Sequence, residues 1–323
     1  MGSQGNISVK SKRGQVAKEQ GGFEPRGGQM NILVAFNDNY VMPTEVMLRS
    51  LIESNEVELN IYALFAELSE ESRKSVKYLE GMRRQVRVIF IRVDKKLFAH
   101  FPLTKWWTME TYYRLFASDY LENDIDRILW LDSDIIVNRT LKDFYEQDFE
   151  GKLMIADEDC WFGSNQEIHE RLHMPQHVKY VNAGVILMDI RGLRERIPKE
   201  LILSYIEKNG SNLLYNDQDI INGLLYPYVK VADAAHAYNF FSREITRQNK
   251  KHVFREACII HYSGEYKPWN KGYVYYGFFL WWRHALKGNR GYWRRFFAVL
   301  PSSVYSMIRH RIAVLIKGNK RSI

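Results

Sequence analysis

The chain is short of cysteine. Two in 323 residues, Cys160 and Cys258, supply neither a disulfide framework nor zinc-ligand spacing, which suits a reducing compartment. It lacks any apolar stretch of about 20 residues, the length a membrane-spanning helix needs. Its N-terminus lacks the continuous apolar segment of a secretory signal. Residues 1–29 lack large apolar side chains almost entirely and are rich in Gly, Ser, Gln and Lys. They cannot bury enough surface to offset ordering entropy, so they read as a disordered leader that need not be native, with folding starting at Met30. Acidic residues stop at Glu265: residues 266–323 hold twelve Lys and Arg and no Asp or Glu. The net charge of +8 therefore hides an acidic body between a basic leader and a strongly basic tail.

What is present is ample for one large domain, with 46% of residues hydrophobic. Short β-rich runs alternate with helical patterns, which predicts βαβ units and a mostly parallel sheet. Strands are expected at 30–36, 59–65, 86–91, 127–131, 153–156, 180–188 and 258–262. Helices are expected at 43–53, after a Ser69 cap, at 108–121, about 192–208, and 217–225. No repeat or low-complexity segment interrupts residues 30–264. The division that results is a leader (1–29), an α/β domain (30–270) and a basic, aromatic, helical tail (271–323).

Asp132-Ser133-Asp134 lies between the apolar runs 128–131 and 135–137. In extended backbone, residues i and i+2 face the same way, so the two carboxylates should converge. Like charges at one point repel unless protons or a cation neutralise them. An oxygen pair suits a hard divalent ion, Mn²⁺ or Mg²⁺. A three-residue motif also arises by chance, but solvated acidic pairs normally lie in polar loops, and burying an unpaired carboxylate costs several kcal/mol. Taken singly, Arg114 reads as a core-edge arginine reaching for water, Asp217 as a helix N-cap and His261 as a satisfied core histidine.

Six separated motifs change those readings together. They are Ala35-Phe36-Asn37-Asp38-Asn39-Tyr40, Thr111-Tyr112-Tyr113-Arg114-Leu115, Leu131-Asp132-Ser133-Asp134, Asn182-Ala183-Gly184-Val185, Asn216-Asp217-Gln218-Asp219, and His261-Tyr262-Ser263-Gly264 with Lys267-Pro268-Trp269. In this order they resemble the family 8 glycosyltransferases, which include bacterial lipopolysaccharide galactosyl- and glucosyltransferases and the glycogenins. The resemblance runs from Met30 to about Trp269. It implies a GT-A fold, a UDP-sugar donor, Mn²⁺ and retention of anomeric configuration.

Carried over by position, Asp132, Asp134 and His261 look like metal ligands. Ala35, Phe36, Asn37, Asn39 and Tyr40 look like the uridine pocket, with Tyr40 stacking on uracil. Many relatives place Asp where Asn37 stands, so the hydrogen bond to uracil N3–H should be kept but weakened. Arg114 would neutralise the donor phosphate or hold a carboxylate behind the metal, and Ser133 would bind the UDP-sugar. Asn182, Ala183 and Gly184 would let backbone approach the sugar. Asp217 would grip sugar hydroxyls, with Gln218 beside the anomeric carbon. Gly264 and Lys267 suit the diphosphate. The catalytic set is Asp132, Asp134, Asp217 and Gln218. An amide is a poor nucleophile, so a front-face, ion-pair-like substitution is expected rather than double displacement.

The tail packs seven aromatics into residues 273–282, followed by Trp293, Phe296, Phe297 and Leu300 amid Arg290, Arg294 and Arg295. Aromatics with cations and no acids suit an interfacial helix on anionic lipid. Core completion is the plainer alternative, and nucleic acid lacks any supporting motif. The expectation is a hexosyltransferase moving galactose or glucose to a glycan, glycolipid or glycoprotein, cytoplasmic and peripheral on the inner face of the membrane. Two other readings share the D-x-D motif: a haloacid-dehalogenase-type phosphatase, which wants it after the first strand, and a catalytically silent sugar-nucleotide-binding module. Neither the sugar, the acceptor nor the oligomeric state follows from these residues.

Overall fold

A computed structural model describes residues 28–103, 108–162, 165–232, 238–289 and 291–319, with side chains up to 314. The expected leader lies outside the described residues up to residue 27. The strands are β1 (Gln29–Ala35), β2 (Glu58–Phe65), β3 (Val86–Arg92), β4 (Arg127–Leu131), β5 (Ile135–Val137), β6 (Met154–Glu158), β7 (Val181–Asp189), β8 (Val229–Val231), β9 (Phe240–Phe241) and β10 (Ile259–His261). Seven form one sheet in the order β3-β2-β1-β4-β7-β6-β8, and β5-β10-β9 form a second. β1 runs parallel to both β2 and β4, whereas β7 is antiparallel to β4 and β6. Strand order reverses at the β1–β4 seam. A crevice at the carboxyl ends of strands at such a switch point is where open α/β sheets bind ligands.

Alternation along the strands builds a core on each face of the large sheet. Leu33 of β1 packs on one side with Trp130 of β4, while Ile32 and Val34 pack on the other with Leu129 and Leu131. The first helix, Val41–Ser54, buries Met47, Leu48 and Leu51 on that second face. Ser69 caps helix Glu70–Lys77 by accepting the Ser72 N–H at 3.2 Å.

Three expected elements differ. The helix expected at 108–121 is a 3₁₀ segment, Met109–Phe116, followed by one α turn, Ala117–Tyr120. β-branched and aromatic residues are poor α formers. The tighter winding also lines up residues three apart, putting Thr111 beside Arg114, whose Nε–H donates to the Thr111 carbonyl at 2.9 Å. The helix expected at 192–208 is two, Ile190–Arg196 and Lys199–Asn209, because Pro198 between them cannot continue a helix. The aromatic run 273–282 is largely core: Tyr273, Phe278, Trp281 and Trp282 are buried against Val46, Ile136 and Ile260. That corrects the expectation that these four face lipid.

The terminal helix, Tyr292–Asn319, has two faces. Val299, Ser303 and Met307 are buried, while Trp293, Phe297, Tyr305, Ile308 and Ile312 are exposed. No helix among the described residues is long and apolar enough to cross a membrane.

Candidate active site

The Asp132 to Asp134 segment is a turn between β4 and β5, not the extended strand expected. Three contacts clamp it. Asp132 N–H donates to Gly184 O at 2.9 Å, Tyr262 N–H to Asp134 O at 2.8 Å, and Thr44 Oγ1 lies 2.8 Å from Ser133 Oγ. The carboxylates still converge, because β7, β10 and the first helix shape the turn. One ligand atom each from Asp132, Asp134 and His261 lies within 4.8 Å of the others.

The chain supplies cations of its own to this cluster. Lys267 Nζ pairs with Asp134 Oδ2 and donates to the Tyr262 carbonyl at 2.9 Å. Burial alone would push the Asp134 carboxyl up; the Lys267 ammonium outweighs it and holds the group well below the usual range. Arg114, 4% exposed, reaches Asp132 Oδ1 at 3.0 Å and the Ala183 carbonyl, with its guanidinium carbon 4.2 Å from the Trp130 ring centroid. Trp130 Nε1–H donates to the same Asp132 oxygen at 2.8 Å.

Asp217 is not the N-cap its sequence position suggested. Helix Asn216–Gly223 opens with Asn216 in the left-handed region (φ 46°), and Asp217 follows inside the first turn. Its Oδ2 lies 2.9 Å from Arg114 Nε. Burial, only partly offset by Arg114, pushes its pKa up to about 6.

A chain of amides fixes which nitrogen of His261 is bare. Asp159 is 2% exposed and only accepts, so Asn182 turns its NH₂ to Asp159 Oδ2 at 3.1 Å. The Asn182 oxygen then accepts the Gly184 N–H at 2.9 Å and the Asn239 NH₂ at 2.8 Å. Asn239 is thereby left with its oxygen 2.9 Å from His261 Nδ1. In the neutral ring the proton sits on Nδ1, and Nε2 presents a lone pair 3.2 Å from Asp134 Oδ1 and 4.0 Å from Asp132 Oδ2. In that neutral state the facing lone pairs form a donor set that a divalent cation completes, and a ligating imidazole is normally oriented through its other nitrogen in this way. The residues therefore fit a metal.

Gly184 is required by the same cluster. A Cβ there would collide with His261 Cε1 and lie 2.9 Å from Asp132 Oδ2. Gln218 sits alongside, its oxygen accepting from Asn182 Nδ2 and Ala183 N–H at 3.0 Å each.

The cleft above the cluster holds about 340 Å³ and takes in almost every expected site residue, from Ala35, Phe36, Asn37 and Tyr40 to Gly264 and Lys267. Asn39 is the exception. It does not line the cleft, and its N–H donates to Asn37 Oδ1 at 3.0 Å, capping the 3₁₀ turn Asp38–Tyr40. One acceptor position of Asn37 is thus used locally, leaving one for a ligand. Asp38 accepts from Ser69 N–H and Oγ–H. Sequence reasoning missed Asp159, Asn239 and Arg243. Asp159 at a strand's carboxyl end was a usable signal; no spacing rule pointed to the other two.

Comparison with known proteins agrees with this architecture. The model of glycosyl transferase family 8 matches residues 31–272. The chain belongs to that family and is a glycosyltransferase with a GT-A-like fold. That membership removes the phosphatase reading. A putative glycosyltransferase of Haemophilus influenzae is 25% identical over 244 residues, spanning 75% of this chain and 73% of the relative. Lipopolysaccharide 1,2-glucosyltransferase of Escherichia coli K12 is 25% identical over 255 residues, 76% and 74% of the two chains. Lipopolysaccharide 1,3-galactosyltransferase of Salmonella typhimurium is 24% identical over 258, covering 76% and 75%. The crystal structure of galactosyltransferase LgtC with donor and acceptor sugar analogs superposes with a TM-score of 0.72 at 25% identity, over 82% of this chain and 100% of that one.

Proposed function

We propose that this glycosyltransferase moves a hexose, galactose or glucose, from a UDP-sugar to a hydroxyl of a cell-surface glycan, glycolipid or glycoprotein, with retention and with Mn²⁺ (or Mg²⁺). The observation that carries the reading is the convergence of Asp132, Asp134 and the bare Nε2 of His261 at the β1–β4 switch point. The lipopolysaccharide hexosyltransferases among the relatives support the sugar class.

In this reading Asp132, Asp134 and His261 hold the ion, and when bound it supplies charge neutralisation to the leaving diphosphate. Lys267, Gly264 and Ser133 meet the phosphates, while Arg114, committed to Thr111, Ala183, Asp132 and Asp217, orients the two carboxylates. Ala35, Phe36, Asn37 and Tyr40 hold the uridine. Asn182, Ala183, Gly184 and Asp217 hold the sugar. Gln218 lies beside its anomeric carbon; its oxygen is committed to two N–H donors, so it orients and does not attack. The bond from C1 to the UDP oxygen breaks, the acceptor oxygen bonds to C1 from the same face, and its proton passes to the departing phosphate.

The family's motifs end near residue 270, and residues beyond it add to the core before the terminal helix turns one face outward. The exposed stripe of Trp293, Phe297, Tyr305, Ile308 and Ile312, flanked by Arg294, Arg309 and Arg311, lays the terminal helix on anionic lipid at the inner face of the cytoplasmic membrane. The test of the donor reading is release of UDP from UDP-Glc, UDP-Gal, UDP-GlcNAc and UDP-GalNAc with Mn²⁺ or EDTA. Metal-dependent release from UDP-Glc or UDP-Gal is expected. Equal release in EDTA would overturn it.

A further inference from the structure

Arg243 carries a charge that the proposed reaction leaves unused. It sits in the 3₁₀ turn Ser242–Glu244 that follows β9, and it lines the cleft. Its guanidinium carbon lies 4.3 Å from the Trp161 ring centroid and 5.0 Å from that of Phe241. Among the described residues it makes no ion pair or hydrogen bond, and its Nε is buried without a partner.

Asp159, an acid that lines the same cleft, is engaged elsewhere. It accepts from Trp161 N–H, Phe162 N–H and Asn182 Nδ2. An arginine held between two rings and left unpaired in an acidic body presents its donor fork to a planar or tetrahedral anion. Trp161 is 57% exposed and offers a further apolar face beside that fork.

We propose that Arg243, backed by Trp161, binds an acidic group on the sugar acceptor, a phosphate or a carboxylate, so that the acceptor is an anionic glycan. The inference rests on the donor assignment above: Ala35, Phe36, Asn37 and Tyr40 take the nucleoside, and Lys267 with the Asp132, Asp134 and His261 cluster takes the diphosphate. Arg243 shares its part of the cleft with Asp159 and Phe162, and one of its terminal nitrogens lies 3.9 Å from where a Cβ on Gly264 would stand, so it borders the donor site from the side that no donor contact in that assignment occupies.

The test titrates matched ligands into the full chain with Mn²⁺ and UDP: methyl β-galactoside, its 6-phosphate and the corresponding methyl uronide, with the glucoside series alongside. Binding of at least one anionic member is expected to be about tenfold tighter than that of its neutral partner, the scale of a charge-assisted hydrogen bond. Arg243→Gln should erase that gap, and Arg243→Lys should keep part of it. Whether the phosphate or the uronide gains identifies the group. The proposal is overturned if neutral and anionic members bind alike, if Arg243→Gln keeps the gap, or if that variant weakens UDP itself by the same factor. Metal-dependent UDP release measured in parallel separates the two readings. Release without anion preference sinks this inference alone, whereas absence of both UDP binding and release sinks the donor assignment and the inference with it.

Discussion

The side-chain oxygen of Asn239 lies 2.9 Å from Nδ1 of His261. Nothing in its sequence neighbourhood marks Asn239, yet it decides which imidazole nitrogen faces the two aspartates. Asn239→Leu should leave the fold intact and weaken Mn²⁺ binding about 10- to 100-fold, the usual effect of losing such an orienting partner. Calorimetric titration of metal into the UDP-bound chain checks this. Unchanged affinity would show that the ring is held by packing alone.

Gly184→Ala should be more damaging than its size suggests. The added methyl meets His261 Cε1 and Asp132 Oδ2, so a ligand must move. Displacement of a reacting group by about 1 Å costs on the order of 100-fold. A loss of that order in UDP-sugar turnover is expected, with metal affinity falling in step. A variant within threefold of wild type would mean that the cluster tolerates displacement.

Asp134→Asn should abolish transfer and also destabilise the metal-free protein. Convergent carboxylates suggested repulsion that an amide would relieve. The structure instead pairs Asp134 with Lys267, 12% exposed at its side chain, and removing one partner of such a pair strands the other. A cost of about 3–5 kcal/mol is expected, read as a lower denaturation midpoint in EDTA. A raised midpoint would restore the repulsion account.

Asp217 links stability to pH. Its folded pKa near 6 lies above the unfolded value of about 3.9, so the folded chain binds its proton more tightly. The resulting penalty is absent below about pH 4, grows as pH rises, and is complete above about pH 6, at roughly 3 kcal/mol or less. In metal-free buffer Asp217→Asn should therefore gain stability relative to wild type between pH 4 and 7. A difference independent of pH would mean that Arg114 neutralises the group fully.

The terminal helix allows a membrane test that spares the core. Cutting the chain near residue 287 would uncover Trp282 and Phe278, which Phe296 covers. Serine at exposed Trp293, Phe297, Ile308 and Ile312 removes the apolar stripe instead. Wild type should sediment with anionic vesicles and release them as salt screens the arginines; the serine variant should bind several-fold less. Equal sedimentation would end the lipid reading of this face.

Much of this molecule is legible residue by residue. The strands of the parallel half, the Ser69 cap and the aspartate pair as a marked acidic site all have local causes: alternation, a side-chain acceptor for exposed N–H groups, and charge amid apolar neighbours. The six motifs named the family and most of the cleft. Tertiary structure decided the rest. It made the aspartate segment a turn clamped by three elements, broke a helix at Pro198, and turned Trp281 and Trp282 inward while leaving Trp293 and Phe297 outside. It also joined Asp159, Asn182, Asn239 and His261 into one directional chain. Burial and hydrogen-bond polarity belong to pairs of groups, and here the partners stand 22 to 57 residues apart, beyond the reach of any local pattern.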